Sequence, residues 1–198
     1  RFRLLTGGSR ALPRHQTLHA AMLWSYELLA PPAQRMLRQM AVFADGWTLQ
    51  AAAEVAQTTD EYEALALLTA LHDKSLLAVD REVSGGRPRY RMLETVRQYA
   101  LERLNECGEG EATRNRHAAH FIAMAEEANS HVRGPDQDLW MNRFKQEHEN
   151  LVVALTWCCD GPLDPQSGLR LAAAAGYYWG WNSVELGDRL SRAVLEHD

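Results

Sequence analysis

Cysteine is scarce in this chain. Cys107, Cys158 and Cys159 are the whole supply in 198 residues, and an odd set with two adjacent members outlines no disulfide framework. A reducing compartment, the cytoplasm, is the expectation. Long apolar runs are missing too: nothing approaches the roughly 20 residues of a membrane span, so no membrane contact is expected. The opening Arg1-Phe2-Arg3 has neither a starting Met nor a hydrophobic signal core, and the chain reads as a piece of something longer. Positive charge is not in excess. The 21 Lys and Arg against 26 Asp and Glu leave a formal net charge of -5, the wrong sign for a general electrostatic grip on nucleic acid or anionic lipid. Only a local basic patch stays open.

Catalytic signatures are absent as well. Thr6-Gly7-Gly8-Ser9-Arg10 has glycines but no Gly-Lys-Ser/Thr opening a helix, so the segment cannot cradle phosphates in that manner. His148-Glu149 begins like a zinc-protease motif, but Val152 stands where the second His belongs. No Gly-x-Ser-x-Gly occurs. His117 and His120, three apart on a helix, supply only two metal ligands with no Cys or acid at ligand spacing beside them. The expectation is a chain that is not an enzyme and holds no metal and no cofactor of its own.

What is present is an ordinary globular composition, 46% hydrophobic and 24% charged, at a length that suits two modest domains. Residues 1–16 carry four Arg and no acid, with Gly7-Gly8 and Pro13, and read as a linker from a missing upstream domain. Leu18, Met22, Ser25 and Leu29 then mark one face of a helix. A second helix is predicted from Pro32 to Phe43, and a third, capped by Thr48, to Ala56. A fourth begins at Thr59 or Asp60 and runs through Leu65, Leu68 and Leu71. After Ser75 the period changes: Leu76–Val79 and Arg89–Met92 read as two strands around Ser84-Gly85-Gly86. Leu93, Val96, Ala100 and Leu104 restore the helical step. Helices, one hairpin, then a helix is the order of a winged helix-turn-helix, assigned to residues 17–106.

From 107 to 198 only helical patterns appear. Ala118, Phe121, Ile122, Ala125 and Ala128 line one helix; Trp140, Phe144, Leu151 and Leu155 line another; two more are predicted around Gly168–Trp181 and Val184–Glu196. Paired helices with short loops suit tetratricopeptide-like α-hairpins, the start of a longer array. The fold class is therefore mainly α. The aromatic run Tyr177, Tyr178, Trp179 and Trp181 is the candidate surface for an inducer or protein partner, with packing against a neighbouring helix as the other reading. The closing helices are expected to support weak self-association.

A winged helix invites a DNA reading, in which the helix before the wing enters the major groove. Here that helix carries Asp60, Glu61, Glu63 and Asp73 against Lys74 alone. The wing is basic: Arg81, Arg87, Arg89 and Arg91 against Glu82. Arg81, Arg87 and Arg89 are thus candidates for phosphate or DNA contact, with a solvated hairpin as the plain alternative.

Several runs resemble a known family. They are Arg14-His15-Gln16-Thr17-Leu18, Trp24-Ser25-Tyr26, Val42-Phe43-Ala44, Asp73-Lys74-Ser75-Leu76 and the run from Tyr90-Arg91-Met92-Leu93-Glu94 to Ala100. Further on come Arg116-His117-Ala118, Gly134-Pro135-Asp136-Gln137, Glu147-His148-Glu149-Asn150-Leu151 and Gly168-Leu169-Arg170-Leu171-Ala172. Together they resemble bacterial STAND-type signalling ATPases, large transcriptional regulators related to LuxR-type and SARP-type proteins. The resemblance implies an upstream nucleotide-binding domain using ATP and ADP, then this winged helix, then repeats that sense an inducer or partner. It implies DNA binding through another domain. In related plant and animal members a Met-His-Asp motif at the wing's end contacts the β-phosphate of ADP. The matching positions are Met92, Leu93 and Glu94; leucine has no donor, so that contact is not implied at 93. Arg91, Met92, Leu93 and Glu94 are the candidates for facing the nucleotide domain. The function expected is a regulatory and sensing fragment, with a directly DNA-binding winged helix and a plain protein–protein scaffold as the alternatives.

Overall fold

The computed structural model describes residues 22–80, 88–182 and 192. The expected linker over 1–16, the wing loop with Arg81 and Arg87, and the helix expected over Val184–Glu196 (all but residue 192) lie outside the described residues.

Helix α1 is described over residues 22–27, and α2 spans Pro31–Met40. Prolines suit that first turn because its amides need no helical partner. The helix stops three residues short of the predicted Phe43. Amides 41, 42 and 43 bond three residues back to Arg38, Gln39 and Met40, a tightening turn that drops Phe43 into the core. Helix α3 spans Leu49–Ala56, and the Thr48 hydroxyl accepts from the Ala51 amide at 3.2 Å. Helix α4 spans Glu61–Asp73, capped by Asp60, whose carboxylate accepts from the Glu63 amide at 2.8 Å. Both caps sit where short polar side chains meet orphan amides.

Strand β1 is Ala78–Asp80, two residues later than predicted. The cause lies in the stop of α4: Ser75 adopts a left-handed φ of 58°, and the Leu76 amide bonds back to Leu71 O at 3.1 Å. That closure buries Leu76 and Leu77 before the strand begins. β1 pairs antiparallel with β2, Arg89–Arg91, in the register Ala78 with Arg91 and Asp80 with Arg89. Trp47 adds one rung on the other side, exchanging both backbone bonds with Tyr90 at 3.0 and 2.9 Å. Helix, rung, two helices and hairpin make a winged helix-turn-helix. Helix α5, Glu94–Glu106, closes it against α2.

The long α6, Gly110–Asn129, packs against α3 on one side and against α8 and α9 on the other. Helices α7 (Gln137–Gln146), α8 (His148–Asp160) and α9 (Pro165–Asn182) complete the described chain. Trp140, Phe144, Leu151 and Leu155, predicted on one helix, fall on two, with the break at Glu147. No helix among the described residues is long and apolar enough to cross a membrane. One buried cluster runs through both halves. Phe43 carries it across: its ring stacks on Trp47 at 5.3 Å and meets Phe121 and His117 of α6 edge-on at 6.2 and 5.0 Å.

Candidate functional site

Immediately after β2 the chain presents a short exposed strip. Arg91 is exposed, with the Asp80 carboxylate 3.9 Å away. Met92 is half-buried against the core, while Leu93 is 66% exposed although it is a large apolar side chain. Glu94 opens α5, and hydrogen bonds from Arg97 at 2.8 and 2.9 Å hold its carboxyl below the usual range. The carboxylate also suits the positive end of the helix dipole. A cation, an apolar side chain and an anion thus stand together at the surface. Of the four residues expected there, Met92 alone turns toward the interior.

Arg89 departs from expectation. Proposed as a phosphate contact, it is instead buried, and its guanidinium forks onto the Glu147 carboxylate while Nη2 donates to Gly46 O at 3.0 Å. The strand's period explains the difference: Arg89 and Arg91 share one face of β2, but the α7–α8 bend covers only the first. Asn150 completes the arrangement. Its Oδ1 accepts from the Ala44 amide at 2.9 Å, and its Nδ2 donates to Gly46 O and to Glu147 Oε2, both at 2.8 Å. Glycine at 46 fits because a Cβ there would lie 2.9 Å from Tyr90 O. Glu147 and Asn150 carried no assigned role in the sequence reading; charged and amide residues inside an otherwise apolar helical period were the available signal.

Beneath this network lies His117, fully buried between Phe43 and Phe121. Burial pushes its pKa down to about 3, with Asn150 opposing, so the ring is neutral. His120 points elsewhere, its Nδ1 2.5 Å from Glu54 Oε2. The two imidazoles share no ligand position, and no group of three metal-binding side chains occurs among the described residues.

The aromatic run on α9 divides. Tyr178 and Trp179 are core residues, Tyr178 stacked on Phe144 at 5.1 Å and its hydroxyl 2.9 Å from His148 Nδ1. Trp181 is 73% exposed, and Tyr177 is half-buried, its hydroxyl accepting from Gln137 Nε2 at 2.9 Å. Successive helical positions turn by about 100°, so four neighbours cannot share one outward face. Tyr178 and Trp179 are therefore withdrawn from the partner surface.

Helix α4, in the recognition position, exposes Glu61, Glu63, Asp73, Leu65 and an 83% exposed Tyr62. It contains no Arg, Lys, Asn or Gln, the side chains that read base edges bidentately.

Residues 29–105 match the family model of the winged helix-turn-helix domain. Over 159 residues, 79% of its length, the chain is 42% identical to a protein of Mycobacterium tuberculosis strain H37Rv that bears an inferred name as an HTH-type transcriptional regulator. A protein of Mycobacterium bovis with the same kind of name matches equally. The chain is also 40% identical over 125 residues, 61% of its length, to an uncharacterized protein of M. tuberculosis H37Rv, 31% of which is covered. The match spans only 18% of the length of the two regulators. No solved structure matches the chain. Architecture and family match agree that residues 29–105 form a winged helix-turn-helix domain.

Proposed function

We propose that this chain is the regulatory and sensing part of a multidomain, ATP-dependent transcriptional regulator of the STAND type. Its winged helix packs on an upstream nucleotide domain and serves as an on/off switch, and its helical region binds an inducer or protein partner, with Tyr177 and Trp181 at the contact surface. The chain itself performs no catalysis; ATP and ADP belong to the nucleotide domain, and promoter DNA to another domain. One observation carries the reading: the helix that would enter DNA is acidic and contains none of the Arg, Lys, Asn or Gln that read base edges bidentately, while Arg91, Leu93 and Glu94 stand exposed at the end of the wing. The regulator names of the mycobacterial relatives support a role in transcription. Physically, ADP holds the closed state only if it favours that packing over the open one, so the strip must contribute differential contacts.

In the full-length regulator, Arg91→Glu combined with Leu93→Asp is expected to speed ADP release by about tenfold, equivalent to about 1.4 kcal/mol of lost closed-state preference. Unchanged release in a correctly folded variant removes the switch reading. Direct DNA binding is the second reading, favoured by the basic residues Arg81 and Arg87 in the sequence between the strands.

A further inference from the structure

Runs of sequence far apart in the chain meet at one point. Val42-Phe43-Ala44 leads into the loop before α3, Arg89 opens β2, and Glu147–Leu151 forms the bend from α7 into α8. Arg89, Glu147 and Asn150 are 8%, 6% and 0% exposed. The fork from Arg89 to Glu147, the bond from Arg89 to Gln146 O at 3.3 Å, and the bonds of Asn150 to Ala44 N and Gly46 O all cross from the helical region to the winged helix. An arginine–carboxylate fork fixes a plane as well as a distance. A fully engaged buried network tolerates few arrangements, because each displaced donor or acceptor is left without water.

We infer that the Arg89–Glu147–Asn150 network is a coupling joint through which the helical region controls the position of the wing base. A partner that alters the α7–α8 bend must carry Arg89 with it, and Arg91, Leu93 and Glu94 follow within five residues on the same short stretch of backbone. The joint does not depend on what reads that strip. It stands if the strip faces a nucleotide domain, DNA or a protein scaffold.

A joint differs from simple packing in being reciprocal: a disturbance on either side must be felt on the other. Amide hydrogen exchange of this chain separates the two. Arg89→Lys, on the wing side, is expected to speed exchange of the Leu151 amide, which bonds Glu147 O at 2.9 Å in the first turn of α8. Glu147→Gln, on the helical side, is expected to speed exchange of the Trp47 and Tyr90 amides that form the rung on the other side of β2. Each change should be on the order of tenfold, while the Phe121 and Ala174 amides stay as in the parent. Acceleration confined to the substituted side in both variants overturns the inference. Should either variant lose its helical circular dichroism, Glu147→Asp, on the helical side alone, keeps the charge and shortens its reach to Arg89. That variant is expected to fold and to exchange faster at Trp47 and Tyr90. Parent-like exchange at the two positions overturns the inference equally.

Discussion

His117 lies between the Phe43 and Phe121 rings, where burial disfavours a second proton, His120 along the same helix adds to that, and the Asn150 amide opposes it only in part. Its pKa in the folded chain is about 3, against about 6.5 when unfolded. Between those values the unfolded chain binds the proton and the folded chain does not. The stability this residue contributes is therefore complete above pH 6.5 and declines as pH falls toward 3, by about 1.4 kcal/mol per pH unit. Denaturation of the parent and of His117→Leu at a series of pH values should show this extra acid slope in the parent alone. Equal slopes would contradict the neutral, buried assignment. The sequence raises His117 as half of a metal pair and sets that reading aside, but does not place it in the core, since spacing along a helix says nothing of which face the tertiary packing covers.

At the scale of elements, periods of 3.6 and two located both strands and the described helices other than the pair α7 and α8, which they merged into one, because apolar spacing and capping residues are local properties. Thr48 and Asp60 were readable as caps for that reason. What escaped was set by long-range contacts. The bend at Glu147 interrupts a continuous apolar stripe because its carboxylate meets Arg89, 58 residues earlier. The late start of β1 follows from the left-handed Ser75 that ends α4. Serine pays a steric penalty there that glycine does not, about 1 kcal/mol. Ser75→Gly is expected to raise the stability of the chain by up to that amount in urea denaturation, with no change in the dependence on denaturant concentration. A loss of stability would show that the Ser75 side chain contributes something its conformation does not reveal.

For the whole molecule, the two parts read from the sequence share one core through Phe43 and one buried polar network through Arg89, Glu147 and Asn150. The sequence suggests a boundary near residue 107 from a change of pattern; the contacts that join the two parts carry no such mark, since they link residues from four separate stretches. The candidate surface residues divide in the same way. Arg91, Leu93, Glu94 and Trp181 are exposed, whereas Arg89 is held by a carboxylate distant in the sequence, and Tyr178 and Trp179 take the packing reading that the sequence also offered. The proposed switch requires a winged helix that faces protein instead of reading DNA. Fluorescence anisotropy of a labelled random duplex, titrated with this chain at low and then moderate salt, addresses that claim directly, because phosphate contacts impose a steep salt dependence. No saturable binding is expected even at low salt. Tight binding that collapses as salt rises would contradict the proposed switch and make the winged helix a DNA reader.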